Sequence, residues 1–315
     1  MRILEGLEAL QGLGLGQPDT LESRSVVSVG VFDGVHLGHQ RLLHELLEMS
    51  SELGGVPTVV TFTNHPDAVL RGEAPPALVS VPHRMRLLRR AGVERALKLP
   101  FDDVVREMTP EQFTEEVLVN GLRACGLLLG YDSAMGKDRA GTPTRFRELG
   151  AAHGFTVREA QPFTVDDQPV SSTLIRSAIS SGDLDTAHRL LGRWPSSFGE
   201  VVAGDGRGRS IGFPTANVVP QTPVLPPTGV YAAQVLVSGE TWPAVANLGQ
   251  RPTFTDDRDA TLEVHLLDFD GDLYGQVLEV CFLARLRDEQ RFSGAEALRE
   301  QIHDDIGRAR ALLAT

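Results

Sequence analysis

Cysteine is scarce: the 315 residues hold two, Cys125 and Cys281. They are too few and too far apart for a disulfide framework, and no histidine stands near them at zinc-ligand spacing. Both are expected to be free, buried thiols in a reducing, cytoplasmic setting. Long apolar runs are also missing. No stretch of about 18 residues is uninterrupted by charge, and Glu5 and Glu8 break the only apolar stretch near the N-terminus, which argues against a membrane span or a signal peptide. Positive charge is in deficit. With 30 Lys and Arg against 42 Asp and Glu, the net charge is -12 and the pI is near 5.2, so no basic surface for nucleic acid is expected. Small phosphorylated ligands remain compatible with that balance. Lysine is nearly absent, since Lys98 and Lys137 are the only two.

What is present suits a globular protein of two domains, with 41% hydrophobic residues to bury. The first part alternates short apolar runs with helical periodicity, the order of a parallel sheet covered by helices. Strands are predicted over Val26–Val31, Val56–Phe62, Val93–Leu99, Gly126–Leu129 and Phe155–Val157. An amphipathic helix is predicted from the apolar face of Leu37, Leu42, Leu43, Leu46, Leu47 and Leu53. Further helices fit Pro82–Ala91, Pro110–Ala124, Thr144–His153, Thr173–Ser181 and Leu184–Leu191. From Gly199 the texture changes. Glycine and proline now punctuate strand-like runs over Glu200–Ala203, Val230–Val237, Trp242–Leu248, Thr261–Leu267 and Val277–Leu283, which suits a small antiparallel barrel. A closing helix over Ala295–Leu313 presents Leu298, Ile302, Ile306, Ala309 and Leu313. The boundary is placed so that residues 1–186 form one domain and residues 187–315 the other.

The most informative segment is Gly30-Val31-Phe32-Asp33-Gly34-Val35-His36-Leu37-Gly38-His39, which joins a predicted strand to a predicted helix. Helix N-termini leave backbone N–H groups unpaired and carry the positive end of the macrodipole, so a phosphate is attracted there. His36 and His39, three apart, share one side of the helix and can both donate to a polyphosphate. Gly38 and Gly34 leave room for close approach. A lone His-x-x-His has structural explanations as well, but its position between strand and helix favours phosphate, and the lack of a third nearby ligand disfavours zinc. The segment Ser171-Ser172-Thr173-Leu174-Ile175-Arg176 reads either as a plain helix cap or as hydroxyls and a guanidinium around a phosphate. Lys137 and Arg139 give the Gly130–Gly141 loop two cations, or belong to a solvated turn. His65, after the strand ending in Phe62, is a ligand contact or a loop residue.

In the second half, Gly204-Asp205-Gly206-Arg207-Gly208-Arg209-Ser210-Ile211-Gly212-Phe213-Pro214-Thr215-Ala216-Asn217 is no Walker loop, since no Gly-Lys-Ser/Thr follows. It concentrates exposed N–H groups, guanidinium charge and two oxygen donors, Thr215 and Asn217, on one side of an extended chain. Such donors suit Mg²⁺ shared with ATP phosphates. A glycine-rich hairpin with exposed arginines is the plainer alternative. In the strand around Glu263, alternation sends Glu263 and His265 to one face and Val264 and Leu266 to the other.

Two resemblances follow from these motifs. The first half is similar to the His-x-Gly-His adenylyl and cytidylyl transferases of Rossmann-like fold, and Ser172, Thr173 and Arg176 match the Ser-Thr-x-x-Arg motif of one subgroup. Gly-Phe-Pro-Thr-Ala-Asn resembles the riboflavin kinase signature. Thr228-Gly229-Val230-Tyr231, Asn247-Leu248-Gly249, Glu263-Val264-His265-Leu266-Leu267 and Leu286-Arg287-Asp288-Glu289-Gln290-Arg291-Phe292 match that family in order. Over residues 20–310 the chain resembles the bacterial bifunctional riboflavin kinases/FMN adenylyltransferases.

The resemblance implies a Rossmann-like nucleotidyltransferase domain followed by a six-stranded antiparallel barrel with a C-terminal helix. It implies phosphorylation of riboflavin by ATP to FMN, then adenylylation of FMN to FAD with release of pyrophosphate, Mg²⁺ accompanying ATP. His36, His39 and Glu263 are the catalytic candidates. Gly30, Phe32, Asp33, Gly38, Ser172, Thr173, Arg176, Gly204, Arg209 and Gly212 are the nucleotide-binding candidates. His65, Asp132, Phe213, Arg291 and Phe292 are expected to contact the flavin, and Thr215 and Asn217 the metal. The chain departs from the family where Asp132-Ser133-Ala134-Met135-Gly136 replaces Asn-Phe-x-Phe-Gly and where Asn64 replaces a proline. Riboflavin, FMN and ATP are the expected partners, with no nucleic acid or membrane, and the oligomeric state is open. The rivals are an adenylyltransferase for another vitamin phosphate and a flavin sensor without turnover; the second has no use for a base beside a metal.

Overall fold

The computed structural model describes residues 1–11, 23–131, 133, 135–204, 208, 211–250 and 260–314. Its contacts divide the chain into two units, residues 1–76 with 81–170 and residues 77–80 with 171–315.

In the first unit, six parallel strands form one sheet: β1 (Arg2–Glu5), β2 (Ser25–Val29), β3 (Val56–Phe62), β4 (Arg95–Leu99), β5 (Ala124–Leu129) and β6 (Thr156–Glu159), in the order β1-β4-β3-β2-β5-β6. The helices are α1 (Glu8–Gln11), α2 (Leu37–Leu53), α3 (Pro66–Leu70), α4 (Val81–Arg90), α5 (Asp103–Glu107), α6 (Pro110–Gln112) and α7 (Pro143–His153). Val27, Val60, Leu97, Leu99, Leu127 and Leu129 line a core on the sheet, closed by Phe113, Val117, Leu118 and Phe146. Strands buried this way read as continuous apolar runs, which is why the sequence displays them. The predicted helix over Pro110–Ala124 is instead α6, opened by a Thr109–Gln112 capping box, running on as a π-helical stretch over Phe113–Gly121; Ala124 already belongs to β5. A small hairpin, β7 (Thr164–Val165) with β8 (Gln168–Pro169), follows.

Because β3 and β5 lie on opposite sides of β2, the chain order reverses between β2 and β5. In open α/β sheets the crevice beyond the strand C-termini at such a reversal is where ligands bind. The Gly30–His39 segment leaves β2 at that point.

The second unit begins with α8 (Ser172–Ser181) and α9 (Leu184–Leu191). Six antiparallel strands, β9 (Ser196–Val202), β10 (Ala216–Pro220), β11 (Gly229–Val237), β12 (Glu240–Gln250), β13 (Ala260–Leu266) and β14 (Val277–Arg287), close into a barrel in the order β10-β13-β12-β11-β14-β9. Tyr231, Ala233, Val235, Ala244, Leu262, Val264, Val280 and Phe282 fill its interior. α10 (Ala295–Leu313) packs Ala309 and Leu313 against Val230, Ala232 and Leu286. Neither cysteine is in a disulfide; Cys125 is buried and Cys281 only partly so, short of the full burial expected.

Candidate active sites of the two units

The turn after β2 is wound tightly. Phe32 takes a left-handed conformation (φ 52°, ψ 33°), Gly34 follows at φ 77°, and Val35 at φ 42°. A β-branched residue at positive φ is a true outlier, and such residues cost on the order of 1–3 kcal/mol each. Burial holds the turn: Phe32, Asp33, Val35 and His36 are each 6% exposed or less. Gln40 adds a hydrogen bond from Nε2 to the Val35 carbonyl (2.9 Å).

His36 is the N-cap of α2. Its Nδ1 accepts the backbone N–H of His39 at 3.3 Å, so in the neutral ring the proton sits on Nε2, a donor for a phosphate oxygen. The two imidazoles stack with centroids 3.7 Å apart and planes 19° apart, and Phe32 tilts against His39 at 5.2 Å. A side chain at Gly38 would meet the His36 ring at 3.2 Å. The paired histidines therefore share one side of the first turn, where the orphan N–H groups of the helix also point.

The neighbouring strand end carries His65, N-cap of α3, whose Nδ1 accepts from the Asp67 N–H at 3.1 Å. Asn64, the residue replacing a family proline, donates from Nδ2 to the Phe101 carbonyl (2.9 Å) and accepts from the Phe101 N–H (2.8 Å), tying the β3 and β4 exits together. Lys137 is ion-paired with Glu107 at 2.7 Å, and each holds the other in its charged form, raising the ammonium's pKa and lowering the carboxyl's. Asp132 lies outside the described residues.

Ser172, Thr173 and Arg176 stand on α8, in the second unit. Ser171 caps that helix by accepting the Leu174 N–H at 3.3 Å. Ser172 and Arg176 are four apart and share a helix face.

On the barrel, strand register assembles a polar row. Glu263 of β13 lies opposite Asn217 of β10 on one side and Asn247 of β12 on the other. Residues directly opposite in antiparallel strands point to the same face with Cβ atoms about 5 Å apart, so a carboxylate is flanked by two amides on the outer face. Val264 and Leu266 point inward, as alternation predicts. Thr215 precedes Asn217 by two, immediately before β10. Gly204 lies directly on the Asn217 side chain, where a Cβ would come within 2.1 Å of its amide nitrogen. A Cβ at Gly208 would meet the Phe213 carbonyl at 2.3 Å and the Thr215 hydroxyl at 3.2 Å. Arg209 lies outside the described residues, as does Arg207, while Gly212 takes φ 90°.

Phe213 is buried between the rings of His265 (5.7 Å) and His303 (5.0 Å), and His265 Nδ1 lies 2.7 Å from the Pro214 carbonyl. Phe292 is half-buried beneath the Arg287 guanidinium, 5.6 Å from its ring centroid, and Arg291 is exposed. Thr215 also borders a cavity of about 370 Å³ lined by Val264, Phe269, Asp272, Leu273 and Tyr274. The 268–275 turn, which contributes five of the cavity's eleven lining residues, was not singled out by sequence; its Asp- and Gly-rich spelling was the available signal. Among the described residues no cluster of three or more His, Cys, Asp or Glu side chains forms a metal cage. Neutral oxygen donors beside one carboxylate fit a hard divalent ion that keeps its waters and shares phosphate oxygens.

A doubly covered parallel sheet of nucleotidyltransferase type joined to a closed six-stranded barrel is the class this chain represents. The pattern of the family described as FAD synthetase matches residues 19–174, and that of riboflavin kinase matches residues 191–313. A Pseudomonas fluorescens protein named bifunctional riboflavin kinase/FMN adenylyltransferase is 43% identical over 92% of this chain and 93% of its own. One of the same name from Haemophilus influenzae is 37% identical over 95% and 97%. The chain belongs to the family of bifunctional riboflavin kinases/FMN adenylyltransferases. A crystal structure described as a macrolide-efflux protein from Streptococcus pneumoniae superposes with a TM-score of 0.82 at 30% identity, covering 98% of this chain and 99% of that one. Among the described residues no helix is long and apolar enough to cross a membrane.

Proposed function

We propose that the barrel unit phosphorylates riboflavin to FMN with ATP, and that the parallel-sheet unit adenylylates FMN with a second ATP to give FAD and pyrophosphate. The observation that carries this reading is the Asn217–Glu263–Asn247 row, set by register in a unit separate from the stacked His36 and His39.

In the kinase step the Glu263 carboxylate accepts the proton of the terminal ribityl hydroxyl as its oxygen attacks the γ-phosphorus of ATP, and the bond to the ADP oxygen breaks. A carboxylate within hydrogen-bond reach suffices, since alignment and charge stabilisation supply most of the acceleration in phosphoryl transfer. Mg²⁺, when bound, draws off charge from the phosphate oxygens. Thr215 and Asn217 would hold it through their side-chain oxygens, Gly204, Gly208 and Gly212 let the phosphates approach the backbone, and Arg209 adds positive charge for them. Phe213, Arg291 and Phe292 bound the flavin. The cavity beside Thr215 takes part of the nucleotide.

In the adenylyl step an FMN phosphate oxygen attacks the α-phosphorus and pyrophosphate leaves. His36, through Nε2–H, and His39 donate to the departing oxygens, and the N–H groups of the first turn of α2 add to that charge stabilisation. Gly30, Phe32, Asp33 and Gly38 shape the turn around the triphosphate, with His65 beside the flavin, and the family motif that Ser172, Thr173 and Arg176 match makes those three candidates for phosphate contact. The functional boundary falls near residue 187, between the two family matches. Two cysteines outside any disulfide suit the cytoplasm.

Incubation with riboflavin, ATP and Mg²⁺, followed by chromatography of the flavins, tests the reading. FMN appearing first and FAD after it is the expected course; absence of FMN contradicts it.

A further inference from the structure

The strained turn that presents His36 and His39 has to be held against relaxation, and its entry point is the peptide joining Val31 to Phe32. A peptide group rotates as a rigid plane, so whatever fixes the Val31 carbonyl also fixes the Phe32 nitrogen at the residue where the chain turns left-handed. Two side chains converge on that carbonyl. Thr61 of β3 donates from Oγ1 at 3.1 Å, and Arg84 of α4 donates from Nη1 to the same oxygen. The same Arg84 nitrogen donates to Thr61 Oγ1 at 3.0 Å, closing a three-membered hydrogen-bonded ring.

Arg84 is an unusual residue to find there. It is 6% exposed, although it belongs to a helix whose last two arginines, Arg89 and Arg90, are exposed to solvent. Its Nε is buried with no hydrogen-bond partner among the described residues. Burial lowers the guanidinium's pKa, while the charge of Asp33, inside the strained turn, raises it. A cation brought into the interior mainly to grip a main-chain carbonyl and a threonine is costly for stability alone. Its place directly behind the first site accounts for the cost.

We propose that Arg84 is a positioning residue for adenylyl transfer: by clamping the Val31 carbonyl together with Thr61, it holds the Phe32–Val35 turn in the left-handed form that presents His36 and His39. It touches neither substrate. The inference rests on placing adenylyl transfer at that turn.

The test uses the full chain, with its kinase reaction as the internal measure of folding. Arg84→Met keeps bulk and removes the donors; it is expected to lower kcat for FMN adenylylation by about 100-fold, as a small misplacement of a catalytic group does, with the KM for FMN little changed. Hydrogen exchange of the 32–36 amides should quicken while riboflavin phosphorylation proceeds at its normal rate. Arg84→Lys, which restores a charged donor, should recover part of the rate. Thr61→Val, removing the second clamp, should lose rate in the same direction but less. Normal adenylyl transfer in Arg84→Met overturns the proposal, as does loss of both reactions together in the Met and Lys variants. His36→Ala separates the two claims. If His36→Ala abolishes FAD formation while Arg84→Met does not, the clamp alone fails; if His36→Ala is fully active, the placement of the reaction fails.

Discussion

Arg287 and Asp305 form a forked ion pair between the end of β14 and the middle of α10. The Arg287 Nε donates to both carboxylate oxygens at 3.0 Å and Nη2 donates to Oδ2 at 2.8 Å. Asp305 is 1% exposed. Around it, Gln301 donates to Asp305 at 3.1 Å, and Arg308 donates to the Leu286 carbonyl at 2.8 Å. One helix thus fastens the start of the segment that carries Arg291 and Phe292, and the gripped guanidinium is the one lying over Phe292.

Asp305→Ala leaves that guanidinium without its partner, and breaking a buried pair from one side costs about 3–5 kcal/mol. The barrel unit should melt earlier in a thermal scan. With Phe292 no longer held from above, the KM for riboflavin should rise more than kcat falls, while conversion of supplied FMN to FAD continues.

His36 has two duties that two substitutions separate. Asparagine can still accept the His39 N–H, whereas alanine cannot, and losing an N-cap costs roughly 1 kcal/mol. His36→Asn should therefore be more stable than His36→Ala by about that amount in chemical denaturation. Both should accumulate FMN from riboflavin without passing it on to FAD, because neither carries an imidazole donor at position 36.

Gly204→Ala places a methyl group where the Asn217 amide now lies, within 2.1 Å of its nitrogen. The amide has to turn away from the Glu263 row. Kinase turnover is expected to drop by about 100-fold, as for a misplaced reacting group, and adenylyl transfer to be unchanged, both read from one chromatogram series.

Much of this was legible from the residues. Buried parallel strands spell themselves as apolar runs, and the apolar faces of α2 and α10 repeat at helical spacing. The two-residue strands of the β7–β8 hairpin escaped, and so did one strand each of the sheet and the barrel. β1 has only four residues, with a charge at each end, and shows no alternation; β10 follows Gly-Phe-Pro and ends in Pro220, so it reads as a ligand-bearing loop. The start of β9 at Ser196 is hidden behind Trp194-Pro195. His36 and His39 stand out as candidates from the strand-to-helix segment around them, whereas Glu263 is singled out only by the family motif in which it stands. Arg84 could not. Its helix carries arginines on several sides, and periodicity does not tell which of them faces inward. The pairing of Glu263 with Asn217 and Asn247 depends on register between strands far apart in sequence, which no single stretch encodes.

The division of labour between the units is tested most directly by Glu263→Gln, which keeps the size of the side chain and removes its ability to take a proton. The variant is given riboflavin with ATP in one reaction and FMN with ATP in another, and the flavins are separated by chromatography. No FMN in the first and a normal yield of FAD in the second is the predicted result; FMN formed at the unmodified rate, or FAD lost from the second reaction in a folded protein, contradicts it.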